Sequence, residues 1–123
     1  MPPLVLIVDD NVDAREMYAI YLEHAGFRPL EAADGETGIE VARRERPAVI
    51  LMDATMPRMD GWEAARRLKA DAATMDIPLI MLTAHAFDEH RQRAATVGAD
   101  AFLAKPVLPD VLVVEIRKVL AAT

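Results

Sequence analysis

Three aspartates, one threonine and one lysine carry most of the chemistry open to this chain. Asp9 and Asp10 directly follow an apolar run from Leu4 to Val8, and Asp53 directly follows another from Ala48 to Met52. Thr83 closes a run from Ile77 to Leu82, and Lys105-Pro106 ends the segment opened by Ala101 to Leu103. Two carboxylates about 4 Å apart repel by roughly 4 kcal/mol at an effective dielectric of about 20. A cluster of three therefore holds a cation or keeps one acid protonated. Oxygen donors without His or Cys suit Mg²⁺, or Mn²⁺ in its place, rather than zinc. Lys105 adds a point positive charge, Thr83 a hydroxyl, and Ala84 leaves space beside it. A cation, an ammonium and a hydroxyl form a pocket for a phosphoryl group whose charge is spread over three oxygens. Asp53, after the central run, is the natural carboxylate nucleophile, and its product is an aspartyl phosphate. A single aspartate after a strand more often caps the next helix. The set of three facing a lysine and a threonine is what points to a site.

These residues meet only if the runs before them lie side by side. Five short apolar runs, Leu4 to Val8, Phe27 to Ala32, Ala48 to Met52, Ile77 to Leu82 and Ala101 to Leu103, alternate with longer stretches of helical spacing. In the first stretch Ala14, Met17, Tyr18, Tyr21, Leu22 and Ala25 share one helical face, and Gly26 stands where a helix closes left-handed. The second starts from Asp34 as N-cap and is barred by Pro47. The third runs from Gly61-Trp62 to about Ala70, and the fourth covers roughly 86–97 and ends at Gly98. The fifth opens at Pro109-Asp110, proline fitting a first helical turn. This alternation predicts an α/β domain with a parallel sheet, and strands apolar nearly throughout require helices on both faces. In such a sheet the ligand site lies beyond the carboxyl ends of the strands, where the strand order reverses. The five reactive residues stand at those ends.

Composition excludes several other roles. The chain has 123 residues, 14 basic and 20 acidic, a formal charge of −6 and no cysteine. One domain of that length encloses a core without staples. The missing cysteines remove disulfides, thiolate metal sites and thiol nucleophiles. The acidic balance argues against nucleic acid and against an anionic membrane surface, both of which need clustered Lys and Arg. No apolar run approaches the roughly 20 residues that span a bilayer. Met1-Pro2-Pro3 has no basic region before its apolar run and no small-residue cleavage pattern, so a cytoplasmic location is expected.

The ordered set of motifs resembles the receiver domains of two-component response regulators, in particular single-domain receivers of the chemotaxis-regulator kind. The likeness rests on Leu-Ile-Val-Asp-Asp-Asn at 6–11, Asp-Ala-Thr-Met-Pro-Arg-Met-Asp-Gly at 53–61, Leu-Thr-Ala-His-Ala at 82–86 and Lys-Pro at 105–106. It covers the whole chain without obvious insertions. It implies a flavodoxin-like (βα)5 sandwich with a five-stranded parallel sheet of order 2-1-3-4-5. It also implies one receiver domain over 1–123 and no output domain. By the same resemblance Asp53 is the phosphoacceptor, taking its group from a sensor histidine kinase or a histidine phosphotransfer protein. Asp10, Asp53 and the backbone carbonyl of Thr55 are the implied Mg²⁺ ligands, with Asp9 assisting through water. Lys105 and Thr83 hold the phosphoryl oxygens, with Ala84 beside them. Thr83 and Phe102 form the implied switch, although Phe102 also reads as an ordinary core aromatic without the hydroxyl of the tyrosine often found there. Such a domain is a phosphoacceptor that catalyses its own phosphotransfer and slow autodephosphorylation, not a turnover enzyme. Its downstream target is an unidentified protein, reached as a monomer or weak dimer.

Some positions depart from the family pattern or carry little information. Ala54 replaces a larger aliphatic residue and should loosen packing beside Asp53. Thr55 and His85 occupy positions that influence phosphoryl lifetime in this family, although a lone histidine at a helix entrance is more often a partly exposed polar residue. His24 and His90 carry no signal. Trp62 is expected to pack at the start of the third helix, and the methionines read as filler. The fourth helix offers Phe87, Ala94, Ala95 and Val97 as apolar anchors, a weak hold suited to a moving element. In the fifth, Leu112, Ile116, Val119 and Leu120 serve the core, leaving Val111 and Val114 over for a partner or for solvent.

Other readings stay open at this point. A small phosphatase would use the same aspartyl phosphate, but such hydrolases place a second acid two residues after the nucleophile, where this chain has Thr55. A flavin carrier of similar architecture needs a hydroxyl- and amide-rich loop where Asp9-Asp10 stand. A receiver belonging to a larger hybrid kinase or regulator shares every motif with a free-standing one.

Overall fold

The fold, taken from a computed structural model, describes residues 2–84 and 88–122. Five strands and five helices alternate: β1 (Leu4–Val8), α1 (Val12–His24), β2 (Arg28–Ala32), α2 (Gly35–Glu45), β3 (Val49–Asp53), α3 (Gly61–Ala70), β4 (Leu79–Thr83), α4 (Asp88–Thr96), β5 (Ala101–Ala104) and α5 (Pro109–Ala121). All strand pairs are parallel, in the order β2-β1-β3-β4-β5. This is the flavodoxin-like arrangement expected from the sequence.

The strand residues alternate between two cores because successive side chains leave opposite faces. Leu6, Val8, Ile50, Met52, Leu79 and Met81 face one core, which α2, α3 and α4 cover with Ile39, Ala42, Trp62, Ala65, Leu68 and Ala94. Val5, Ile7, Val49, Leu51, Ile80 and Leu82 face the other, covered from α1 and α5 by Tyr18, Leu22, Leu112, Ile116 and Val119. Both cores surround the central strands, so β3 and β4 are buried along their whole length. That rigidity fixes where their last residues, Asp53 and Thr83, stand.

Local signals set the element ends. Asp34 Oδ1 accepts from Thr37 N–H at 2.8 Å as the expected cap of α2. Asn11 caps α1 by accepting from Ala14 N–H at 3.0 Å, and Asp60 caps α3 by accepting from Glu63 N–H at 2.9 Å. Asp9, Asp10 and Asp53 are thus left free of capping duty. Gly26 and Gly98 close their helices at φ of 91° and 84°, in the left-handed region. Pro109 opens α5 in its first turn, as expected.

Several expectations need correction. β2 begins at Arg28, because Phe27 N–H donates to Leu22 O in the turn that ends α1. β4 begins at Leu79: Ile77 N–H is spent on Thr74 O, and Pro78 has none to give. β3 continues through Asp53, which lies opposite Leu82, so the acceptor is a strand residue with a fixed backbone. The predicted face of α1 holds for Ala14, Tyr18, Tyr21, Leu22 and Ala25, but Met17 is 41% exposed and Ala19 is buried in its place. In α4, Ala95 is exposed and Ala94 is buried, with Val97 packed partly against the core. Phe87 lies outside the described residues.

Candidate functional site

The order reverses between β1 and β3, and the predicted residues gather at the carboxyl edge of these two strands. Asp9 leaves β1 fully enclosed, at 1% exposure, and Asp53 ends β3 at 6%. Lys105 comes from the far side, just after β5, its backbone N–H donating to Thr83 O at 2.7 Å. Its Nζ donates to Asp9 Oδ2 and to Asp53 Oδ1, each at 3.1 Å. One ammonium thus joins two buried carboxylates from two strands.

Asp9 is held from several directions. Its Oδ1 accepts from Asn11 N–H at 2.9 Å, and its carbonyl oxygen accepts from the Arg15 guanidinium at 2.7 Å. Arg15 also reaches Glu31, just past β2's centre, at 3.3 Å. Sequence reasoning overlooked Arg15, since a charged residue in a first helical turn reads as solvated. Asp10 is exposed, and its carboxylate completes a group with Asp9 and Asp53 whose ligand oxygens all lie within 4.8 Å of one another. Three carboxylates against one ammonium leave excess negative charge among hard oxygen donors. That donor set fits a divalent cation of the Mg²⁺ class.

Burial and the neighbouring Asp9 push the Asp53 carboxyl above its usual range, and Lys105 only partly offsets them. Burial disfavours the Lys105 ammonium, but Asp53 and Asp9 outweigh it and hold its pKa above the ordinary value. Tyr18, beneath the site, is pushed up by burial, with Lys105 opposing the two aspartates. The site therefore stores unfavourable negative charge on the proposed acceptor. A cation or a reaction that removes that charge acts on a poised group.

Thr83 ends β4 at 1% exposure, its Oγ1 3.2 Å from His90 Nδ1 on α4. Ala84 follows, exposed. Thr55 N–H lies 3.5 Å from Asp53 Oδ1, a long contact, and the Thr55 side chain is exposed. Phe102, on β5, is partly buried against the core with the Arg91 guanidinium 5.5 Å from its ring centroid. His85 lies outside the described residues.

Gly61 is a further positioning residue that the sequence motif contained but did not explain. A Cβ there would stand 1.8 Å from the Asp53 carbonyl oxygen, and Gly61 N–H donates to Ala54 O at 3.0 Å. The start of α3 thus lies directly on the backbone of Asp53, and only a hydrogen fits between. Trp62, next in the chain, is buried as expected.

The response regulator receiver domain family matches residues 5–117. The phosphate regulon transcriptional regulatory protein PhoB of Pseudomonas aeruginosa is 43% identical over 119 residues, covering 97% of this chain and 52% of that protein. The chain thus spans about half the length of this relative. Protein PilH of the same organism is 40% identical over 119 residues, covering 95% of this chain and 97% of that protein. Among solved structures, the receiver domain of sensor histidine kinase PA1611 from Pseudomonas aeruginosa superposes with a TM-score of 0.90 at 30% identity, over 98% of this chain and 99% of that one. That structure is described with a magnesium ion coordinated in its active site cleft.

Two outcomes follow from the geometry. Because the folded-state pKa of Asp53 is raised, the fold binds its proton more tightly than the unfolded chain does. Stability then falls as pH rises from the ordinary carboxylate range through the raised value, and the full penalty persists at neutral pH. Asp53→Asn should therefore melt a few degrees higher than the native protein at pH 7 without divalent cations, and the gap should close in acid. Gly61→Ala should cost about 1–3 kcal/mol in denaturant unfolding, as overpacking against backbone does.

Proposed function

The chain belongs to the response regulator receiver family, and we propose that it accepts a phosphoryl group on Asp53 from a phosphohistidine of a sensor histidine kinase or phosphotransfer protein. The observation that carries this reading is the Lys105 ammonium shared at 3.1 Å between Asp9 and Asp53, at the mouth of an acidic cluster. In the reaction an Asp53 carboxylate oxygen attacks phosphorus and forms an O–P bond. The P–N bond to the donor imidazole breaks, and the imidazole nitrogen keeps the electron pair. Lys105 and Thr83 donate to phosphoryl oxygens as charge gathers on them. Asp10, Asp53 and the Thr55 carbonyl, with Asp9 behind them, would hold Mg²⁺, which neutralises charge between acceptor and phosphoryl group when bound. Arg15, Asn11 and Gly61 keep the acceptor and its neighbours in place.

The domain is a phosphoacceptor and not a turnover enzyme. Position 55 holds a threonine, where a phosphatase of similar chemistry carries a second acid. The output is a change of the surface made by α4, β5 and α5. Of the described α4 side chains only Ala94 is buried, β5 is an edge strand, and Val111 and Val114 on α5 stand 46% and 51% exposed. The target is a protein, since the acidic balance disfavours nucleic acid. The chain spans 97% of the length of Protein PilH and 52% of that of PhoB, so the reading applies to a free-standing regulator and to a receiver within a longer protein alike.

Incubation with Mg²⁺ and acetyl phosphate should give one phosphoryl adduct by intact mass, absent in Asp53→Ala and without the cation. An undiminished adduct in Asp53→Ala would move the acceptor elsewhere. In the phosphorylated protein, amide exchange should change over α4, β5 and α5 and stay constant in α2; unchanged exchange over α4 would rule out the surface assignment.

A further inference from the structure

His90, which neither spacing nor motif singled out, touches the switch threonine. His90 Nδ1 lies 3.2 Å from Thr83 Oγ1, and the His90 ring meets the edge of Trp62 at 5.6 Å between centroids with an 89° interplanar angle. Arg93, one turn further along α4, lies 4.9 Å from the centroid of the Trp62 ring. Arg91, beside His90, covers Phe102 on β5. Consecutive α4 residues therefore contact Thr83 and Phe102, the two residues of the expected switch. Among the described residues of α4 only Ala94 is buried, and it is too small to hold a helix by burial alone, so these contacts contribute to seating α4.

A threonine hydroxyl has one proton to donate. We infer that His90 is the latch of the switch: its Nδ1 accepts the Thr83 proton in the unphosphorylated protein, and surrender of that proton to a phosphoryl oxygen on Asp53 frees the imidazole from Thr83 and Trp62 and loosens α4. In the tautomer this requires, the ring proton sits on Nε2. The inference rests on Asp53 as acceptor and adds the residue that carries the signal away from it. His90 touches no phosphoryl oxygen and acts through Thr83, as a positioning residue. It competes with the phosphoryl group for one hydrogen bond, so it also sets how readily the switch is thrown.

Two variants separate the hydrogen bond from the ring. His90→Phe keeps an aromatic edge for Trp62 and removes the acceptor; His90→Asn places an amide oxygen near the Nδ1 position and removes the ring. Beryllofluoride with Mg²⁺ mimics a phosphoryl group on a carboxylate, and calorimetric titration gives its affinity for each protein. His90→Phe should bind it about three- to tenfold more tightly than the native protein, the range expected for one exchanged hydrogen bond. His90→Asn should bind with near-native affinity. Trp62, the single tryptophan, should change its emission on binding in the native protein and not in either variant. Native affinity in His90→Phe, equal affinities in the two variants, or an unmoved native Trp62 signal each overturns the latch while leaving Asp53 as acceptor. Failure of the native protein to bind beryllofluoride, with no acetyl phosphate adduct, removes the acceptor reading and the latch with it.

Discussion

The site depends on one arrangement of charge: two buried carboxylates, from two adjacent strands, share a single ammonium from beyond the sheet's other edge. Burial and the facing Asp9 both raise the Asp53 pKa, and Lys105, bonded to both carboxylates, offsets them only in part. A buried ion pair of this kind adds little net stability, because desolvation consumes most of the Coulombic gain. Its value is that the remaining imbalance has a fixed position. The cluster is relieved by a cation among the three carboxylates, by a proton on Asp53 or by covalent change there, and all of these act at one point.

Everything around that point serves to keep it from relaxing. A surface carboxylate would escape repulsion by rotating into water. Asp9 cannot, because Asn11 N–H and Lys105 hold its two oxygens, and Arg15 fixes its carbonyl. Asp53 cannot shift its backbone, because it is the last paired residue of a fully buried strand and Gly61 lies against its carbonyl. The two cores supply this stiffness: alternate residues of β1, β3 and β4 are pinned on opposite faces, so a strand cannot slip without moving its apolar set into the wrong layer.

The same regularity explains what could be read from the sequence. Apolar runs of about five residues, separated by helical spacing, leave few arrangements, and the right-handed crossover rule brings the strand ends to one rim. Asp9, Asp10, Asp53, Thr83 and Lys105 were therefore visible as a set before any contact was known. The Asp34 cap and the Pro109 helix start were visible for a local reason, since caps act within one turn. Arg15 and His90 were not, because their partners are set by how a helix lies on the sheet and not by chain spacing. One position of the α1 face was missed for a related cause: a small residue fits at the margin of a stripe, and packing against α5 and the sheet selected Ala19 over Met17. Gly61 stood in a recognised motif, but the closeness that requires glycine is between α3 and a strand end and leaves no periodic trace.

The uneven seating of the helices gives the charge at the rim a direction in which to act. α1 and α5 are held by large side chains, Tyr18, Leu22, Leu112, Ile116 and Val119, so displacing either would expose substantial apolar area. α4 buries a single alanine among its described side chains, and its described contacts with Thr83, Trp62 and Phe102 are polar and ring contacts. Such contacts are each small and exchangeable for water. A change of about one hydrogen bond at Thr83 is negligible against the hold on α1 and comparable to the hold on α4. The chemistry at Asp53 therefore needs no long pathway to become selective. Under the proposed latch it would act first on the helix whose described attachment is of its own magnitude.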